Sequence, residues 1–118
     1  MKCDLKDYLL TVEGKLFENK KRILLDIVDS LLYFNSNKII HGDLKPQNIL
    51  IDFSNKACVG DFGTAAMISS TSKFGEIYAL TSNYASPEML VDEQMFLESD
   101  IWSFGAIILE VLFGYKPF

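Results

Sequence analysis

Leu5, Tyr8 and Leu9 recur about one helical turn apart behind Asp4, a residue type that caps helices by accepting a backbone N–H. The spacing predicts a short helix over about residues 4–10, and Gly14 breaks the pattern after it. From about residue 18 to residue 35, Leu24, Ile27, Val28, Leu31, Leu32 and Phe34 fall mostly on one face, with Asn19, Lys20, Lys21, Asp26 and Asp29 largely opposite. This is the pattern of a long amphipathic helix. Asn35, Ser36 and Asn37 end it, because small polar side chains compete for backbone hydrogen bonds and Asn tolerates the left-handed conformation.

Two short apolar runs follow, Ile49-Leu50-Ile51 and Ala57-Cys58-Val59, separated by the polar residues of a turn. The pattern predicts a β hairpin over 49–59. Antiparallel strands bring their outer ends together, so the hairpin draws Asn48, before the first strand, towards Asp61, after the second. Between Gly63 and Ser86 the periodicity disappears and Gly, Ser and Thr become frequent, as in an irregular segment. The stretch up to Phe113 is then apolar nearly all round, Glu110 excepted, which predicts a buried helix over about 100–113.

Composition narrows this picture modestly. A chain of 118 residues, 49% hydrophobic and 23% charged, is long enough for one small globular domain. A formal net charge of −5 without a basic stripe argues against nucleic acid or an anionic membrane as partner. Cys3 and Cys58 have no paired spacing, and His41 alone cannot complete a zinc set with them, so both read as reduced thiols of an intracellular, cytoplasmic protein. No apolar run has the form of a secretory signal, and residues 101–113 are too short for a membrane span.

The candidate chemistry lies in His41-Gly-Asp-Leu-Lys-Pro-Gln-Asn48 and in Asp61-Phe62-Gly63 beyond the hairpin. Asp43, Asn48 and Asp61 offer oxygen ligands suited to a hard cation, and Lys45 adds a positive charge for a polyphosphate. Pro46 opposes helix continuation and biases Lys45 towards extended geometry, so these side chains sit on a rigid loop. Taken singly, each is an ordinary surface polar residue.

Together the two stretches resemble the catalytic loop and the metal-binding triplet of protein kinases, in the family's order. Thr81-Ser-Asn-Tyr-Ala-Ser-Pro-Glu88 resembles the end of that family's activation segment, which would span 61–88, with Ser86 in place of alanine. Ser99-Asp100-Ile-Trp102-Ser-Phe-Gly105 resembles the start of its central helix. The resemblance implies a mainly α structure with a small β hairpin, the C-terminal large-lobe portion of the kinase-like α+β fold.

It also implies roles. Asp43 would accept or orient the substrate hydroxyl proton, Lys45 would stabilise the transferring phosphoryl group, and Asn48 with Asp61 would hold Mg²⁺ on ATP. Thr81 falls where Ser/Thr-specific kinases place a hydroxyl linking the catalytic aspartate and lysine, and it joins Lys45 in favouring protein Ser and Thr as substrates. Leu50 would form the floor under adenine, although core packing accounts for it equally well. His41 would support Phe62 as a packed residue, and Gly63, Glu88, Asp100 and Trp102 would give further structural support, Asp100 by bonding loop amides, by capping its own helix, or both.

Two departures stand out. Gly42 replaces the arginine that pairs, in many kinases, with a phosphorylated activation segment. The resemblance also spans only the middle of the fold: the small lobe with its Gly-rich loop, its lysine and its helical glutamate is missing, as are the final helices that supply an arginine to Glu88. Residues 1–118 therefore read as a partial kinase domain, expected to be inactive alone, with an exposed core face that a separate chain would cover. The competing reading is a pseudokinase or non-catalytic interaction fragment.

Overall fold

The structure, a computed structural model, describes residues 3–60, 66–67, 84–91 and 96–114. In chain order these form β1 (Cys3–Asp4), α1 (Leu5–Tyr8), a 3₁₀ turn (Glu13–Lys15), α2 (Phe17–Ser36), β2 (Ile39–Ile40), a 3₁₀ turn (Pro46–Asn48), β3 (Ile49–Ile51), β4 (Ala57–Val59), β5 (Ala66–Met67), α3 (Pro87–Val91) and α4 (Leu97–Phe113). The expected helix-rich chain with a small antiparallel sheet is what is found.

Asp4 caps α1 as expected, its Oδ1 accepting the Asp7 N–H at 2.8 Å. The helix is shorter than the predicted 4–10. After Tyr8 the backbone tightens, with Leu10 N–H bonded to Asp7 O at 3.1 Å and Thr11 N–H to Tyr8 O at 3.0 Å. The Thr11 hydroxyl donates to the same Tyr8 carbonyl at 2.6 Å and accepts the Gly14 N–H at 3.0 Å, so a local side chain competes successfully with helix extension. Gly14 is obligatory at this reversal, since a Cβ there would lie 1.9 Å from Tyr8 O.

α2 extends one residue beyond the predicted 18–35 at each end. Its inner face is Ile23, Ile27, Leu31 and Phe34, whereas Leu32, placed on the apolar face by its spacing, is 60% exposed. Asp26, assigned to the polar face, instead turns towards β4 and accepts the Ala57 N–H at 3.0 Å. The left-handed residue after the helix is Lys38 (φ 55°) rather than an asparagine. Asn37 closes the end differently, donating its side-chain amide to Tyr33 O at 2.8 Å.

The hairpin forms in the register Ile49↔Val59, Leu50↔Cys58 and Ile51↔Ala57. Asp52 organises its turn, with one carboxylate oxygen accepting the N–H groups of Ser54 and Lys56 at 2.8 and 2.9 Å. A third strand joins it, because β1 pairs antiparallel with β3 through Cys3↔Ile51 and Asp4↔Leu50. β5 lies inside the stretch expected to be irregular and pairs with β2 through Ile39↔Met67 and Ile40↔Ala66.

α4 begins three residues before the predicted 100 and ends at Gly114, whose φ of 75° suits a residue without Cβ. Its Ala106, Ile107 and Val111 join Leu5, Tyr8, Ile23, Ile27, Ile49 and Ile51 in one core. It is not enclosed all round: Ile101 is 57% exposed, and Trp102 and Phe113 are exposed too. Among the described residues no helix is long and apolar enough to cross a membrane.

Candidate functional site

β2 delivers the chain into His41 at the centre of the fold. The His41 ring is fully buried, with Nε2 2.7 Å from the Gly60 carbonyl and Nδ1 3.1 Å from the Asp43 backbone nitrogen. A carbonyl can only accept and an N–H can only donate, so a ring carrying its proton on Nε2 satisfies both. The imidazole thereby ties the start of the loop to the residue preceding Asp61.

Asp100, in the first turn of α4, accepts the His41 N–H at 2.7 Å through Oδ2 and the Gly42 N–H at 3.0 Å through Oδ1. It is therefore no cap of its own helix. The N-cap is Phe96, whose N–H donates to Ser99 Oγ at 3.0 Å. Burial pushes the Asp100 carboxyl above the usual range, and the amides of Gly42 and His41 offset this only in part. Gly42 has φ 87°, a conformation that costs a glycine nothing and any other residue some strain.

Lys45 is extended (φ −160°, ψ 162°), as the following proline requires, but Pro46 also opens a single 3₁₀ turn as its first residue. The turn closes with Asn48 N–H bonded to Lys45 O at 2.9 Å. Asn48 is buried and turns back on Asp43, its Nδ2 donating to the Asp43 carbonyl at 2.7 Å and to Oδ2 at 3.3 Å. Lys45 Nζ stands 3.4 Å from that same Oδ2, with the lysine and aspartate side chains 19% and 15% exposed. Two donors from a rigid turn thus hold the Asp43 carboxylate in place while leaving it in contact with solvent.

The hairpin closes the other side. Gly60 N–H donates to Asn48 O at 2.8 Å, so the outer strand ends meet as the register requires. Leu50 packs on Gly60, where an added Cβ would come within 3.1 Å of Leu50 Cδ1. Asp61, Phe62, Gly63 and Thr81 lie outside the described residues. Among the described residues no three His, Cys, Asp or Glu gather as a metal cage. The donor set suits Mg²⁺ all the same, since that ion binds through one or two protein oxygens and completes its shell with phosphate and water. With Nδ2 engaged by Asp43, Oδ1 is the Asn48 atom left to face a cation.

A second hydrogen-bonded cluster fixes the chain entering α3. Tyr84 is buried and donates its hydroxyl to Glu110 on α4, while Ser103 Oγ donates to Tyr84 O at 2.5 Å. Burial first, then the hydrogen bond and charge of Glu110, push the Tyr84 hydroxyl well above the ordinary tyrosine range. Glu88 accepts from Ser99 Oγ at 3.0 Å. Its carboxyl lies below the usual range: burial acts against this, but its own backbone N–H, the nearby Ser86 hydroxyl and Ser99 outweigh it. Ser86 itself is fully buried, and its Oγ makes no hydrogen bond of good geometry.

The protein kinase domain family matches residues 1–118. The chain belongs to the protein kinase family. Serine/threonine-protein kinase PKH2 of Saccharomyces cerevisiae is 38% identical over 103 residues, covering 78% of this chain and 10% of that protein. Human 3-phosphoinositide-dependent protein kinase 1 is 39% identical over 95 residues, covering 79% of the chain and 17% of the relative. Mitogen-activated protein kinase kinase 2 of Arabidopsis thaliana is 33% identical over 115 residues, covering 97% and 32%. The chain therefore spans about a tenth to a third of the length of these curated relatives, and it belongs with eukaryotic-type Ser/Thr kinases.

Of the kinase residues singled out in the sequence, the structure gathers His41, Asp43, Lys45, Asn48 and Asp100 around one loop and sets Leu50 beside it. Glu88 lies apart, on α3, with Ser99 as its partner. Trp102 is on the exposed side of α4. The roles of Tyr84, Ser99, Ser103 and Glu110 were not legible beforehand. The one available signal was the lone Glu110 in an apolar helix, since a buried carboxylate calls for a donor.

Proposed function

We propose that this kinase segment belongs to the large lobe and that, within a complete kinase domain, it carries out Mg²⁺-dependent phosphoryl transfer from ATP to Ser and Thr hydroxyls of protein substrates. The observation that carries this reading is the convergence of Lys45 Nζ and Asn48 Nδ2 on Asp43 Oδ2. Asp43, held by a lysine and an amide and partly open to solvent, is suited to orient a substrate hydroxyl and accept its proton. Lys45, anchored beside it, supplies positive charge where the phosphoryl group develops negative charge. Asn48 Oδ1 and Asp61 would hold Mg²⁺, whose chemistry when bound is to neutralise phosphate charge. Leu50 would give adenine an apolar surface, and Thr81 would join Asp43 to Lys45.

The names of the three relatives are all those of protein kinases, and that of PKH2 specifies serine/threonine, which supports the reaction class. An intracellular location follows the same reading. The deciding experiment replaces Asp43 by Asn in a complete kinase domain containing this segment. Turnover should fall by about 10² or more while ATP affinity is kept. Turnover within about threefold of the parent would remove Asp43 from the reaction. A segment that binds partners without transferring phosphate would show no Asp43-dependent activity at all.

A further inference from the structure

The cleft framed by α1, the 3₁₀ turn at Glu13–Lys15, the start of α2 and the end of α4 plays no part in the loop site. It encloses about 380 Å³, with Leu9, Leu10 and Val111 as apolar walls and Lys6, Lys15 and Lys20 around them. The three lysines come from three separate elements, so folding, and not a run in the sequence, brings their charges together. Among the described residues none of the three has an ion-pair partner. Glu110 also lines the cleft, but the Tyr84 hydroxyl holds its carboxylate. Asp7, Glu13 and Glu18, on the same elements, are exposed and do not line it. A helix C-terminus attracts lysines by itself, yet that attraction requires no apolar hollow between them.

The surroundings add apolar surface. Leu10 is 75% exposed, and Val12, Leu16 and Phe17 in the same segment are exposed as well. On a chain of formal charge −5, this is a locally cationic hollow with an apolar floor. We propose that it docks an acidic peptide segment of a partner protein, one apolar side chain entering between Leu9, Leu10 and Val111 while flanking carboxylates meet Lys6, Lys15 and Lys20. The recess favours an inserted side chain over a flat bilayer, and the overall negative charge opposes adsorption to anionic lipid. The inference goes beyond phosphoryl transfer and does not depend on it.

The test measures anisotropy of a fluorescein-labelled Glu/Asp-rich peptide with one central Leu, titrated with the 118-residue chain. Binding should weaken as salt rises, because exposed charges are screened. It should weaken by about tenfold or more in a Lys6→Glu, Lys15→Glu, Lys20→Glu variant, and also when the peptide Leu is replaced by Ala. Leu10→Asp should act alike, and at a residue so exposed it leaves folding unaffected, as circular dichroism would verify. Absence of binding, equal binding of a Lys-rich peptide, or full binding by the triple variant would overturn the proposal. So would adsorption to phosphatidylserine vesicles without peptide binding, which would assign the surface to a membrane.

Discussion

Asp100 binds the backbone of His41 across 59 positions of sequence, and the same carboxylate takes the neighbouring Gly42 N–H. One buried side chain on α4 thereby fixes the loop that presents Asp43. Asp100→Asn removes a charged acceptor and faces two amide donors with a group that itself donates. Unfolding in urea should show a loss of about 1–3 kcal/mol. A wild-type midpoint retained in the variant would sever this link between helix and loop.

The same carboxyl sets a pH dependence. Its folded pKa lies above the unfolded value of 3.8, so the folded state holds the proton more tightly. Its contribution to stability is then greatest below the unfolded value, falls as pH rises through the folded value and levels off above it. The stability difference between wild type and Asp100→Asn should accordingly be more favourable to wild type near pH 4 than at pH 7. An opposite slope in paired urea titrations would contradict burial as the dominant influence.

Tyr84 and Glu110 form the corresponding tie at the other end of α4. Tyr84→Phe keeps the ring in its buried place but leaves the Glu110 carboxylate without its donor, at a cost of about 1–3 kcal/mol. Glu110→Gln, which retains an acceptor, should cost less. Thermal melts that rank the two variants in the reverse order would count against this hydrogen bond as the tie.

Gly42 meets two demands at once, a φ of 87° and an N–H aimed at Asp100. Gly42→Arg should lower stability by about 1 kcal/mol through backbone strain, and Gly42→Val by more, since branching at Cβ crowds this region further. The stretch expected to be irregular contains a Ser/Thr-rich cluster, Ser69-Ser70-Thr71-Ser72, and without a cation at position 42 phosphate on it lacks one partner. A complete kinase domain containing this segment should therefore keep most of its activity after phosphatase treatment. Activity abolished by phosphatase and restored by phosphorylation in that cluster would refute this.

Gly14→Ala tests the reversal after α1. The new methyl would lie 1.9 Å from the Tyr8 carbonyl oxygen, so backbone must move, and a loss of about 2 kcal/mol or more is expected. Wild-type melting of the alanine variant would show that this turn is free to rearrange.

The sequence by itself determined what is local or periodic. The Asp4 cap, the approximate span of α2, the hairpin over 49–59 and the rigid turn at Pro46 follow from capping chemistry, helical spacing, two apolar runs about a polar turn and the fixed φ of proline. Motif order carried the resemblance to protein kinases, which the family match over residues 1–118 bears out. Tertiary structure decided what depends on meetings between distant segments. Asp26 reads as a surface residue until β4 offers it the Ala57 N–H, and Leu32 reads as core until α2 is seen to pack through Ile23, Ile27, Leu31 and Phe34. Asp100 could equally have been a helix cap; only packing of α4 beneath the loop made it the acceptor for His41 and Gly42. Hydrogen bonds across such separations leave no periodicity in the chain, since their partners are chosen by burial in three dimensions and not by spacing along the backbone.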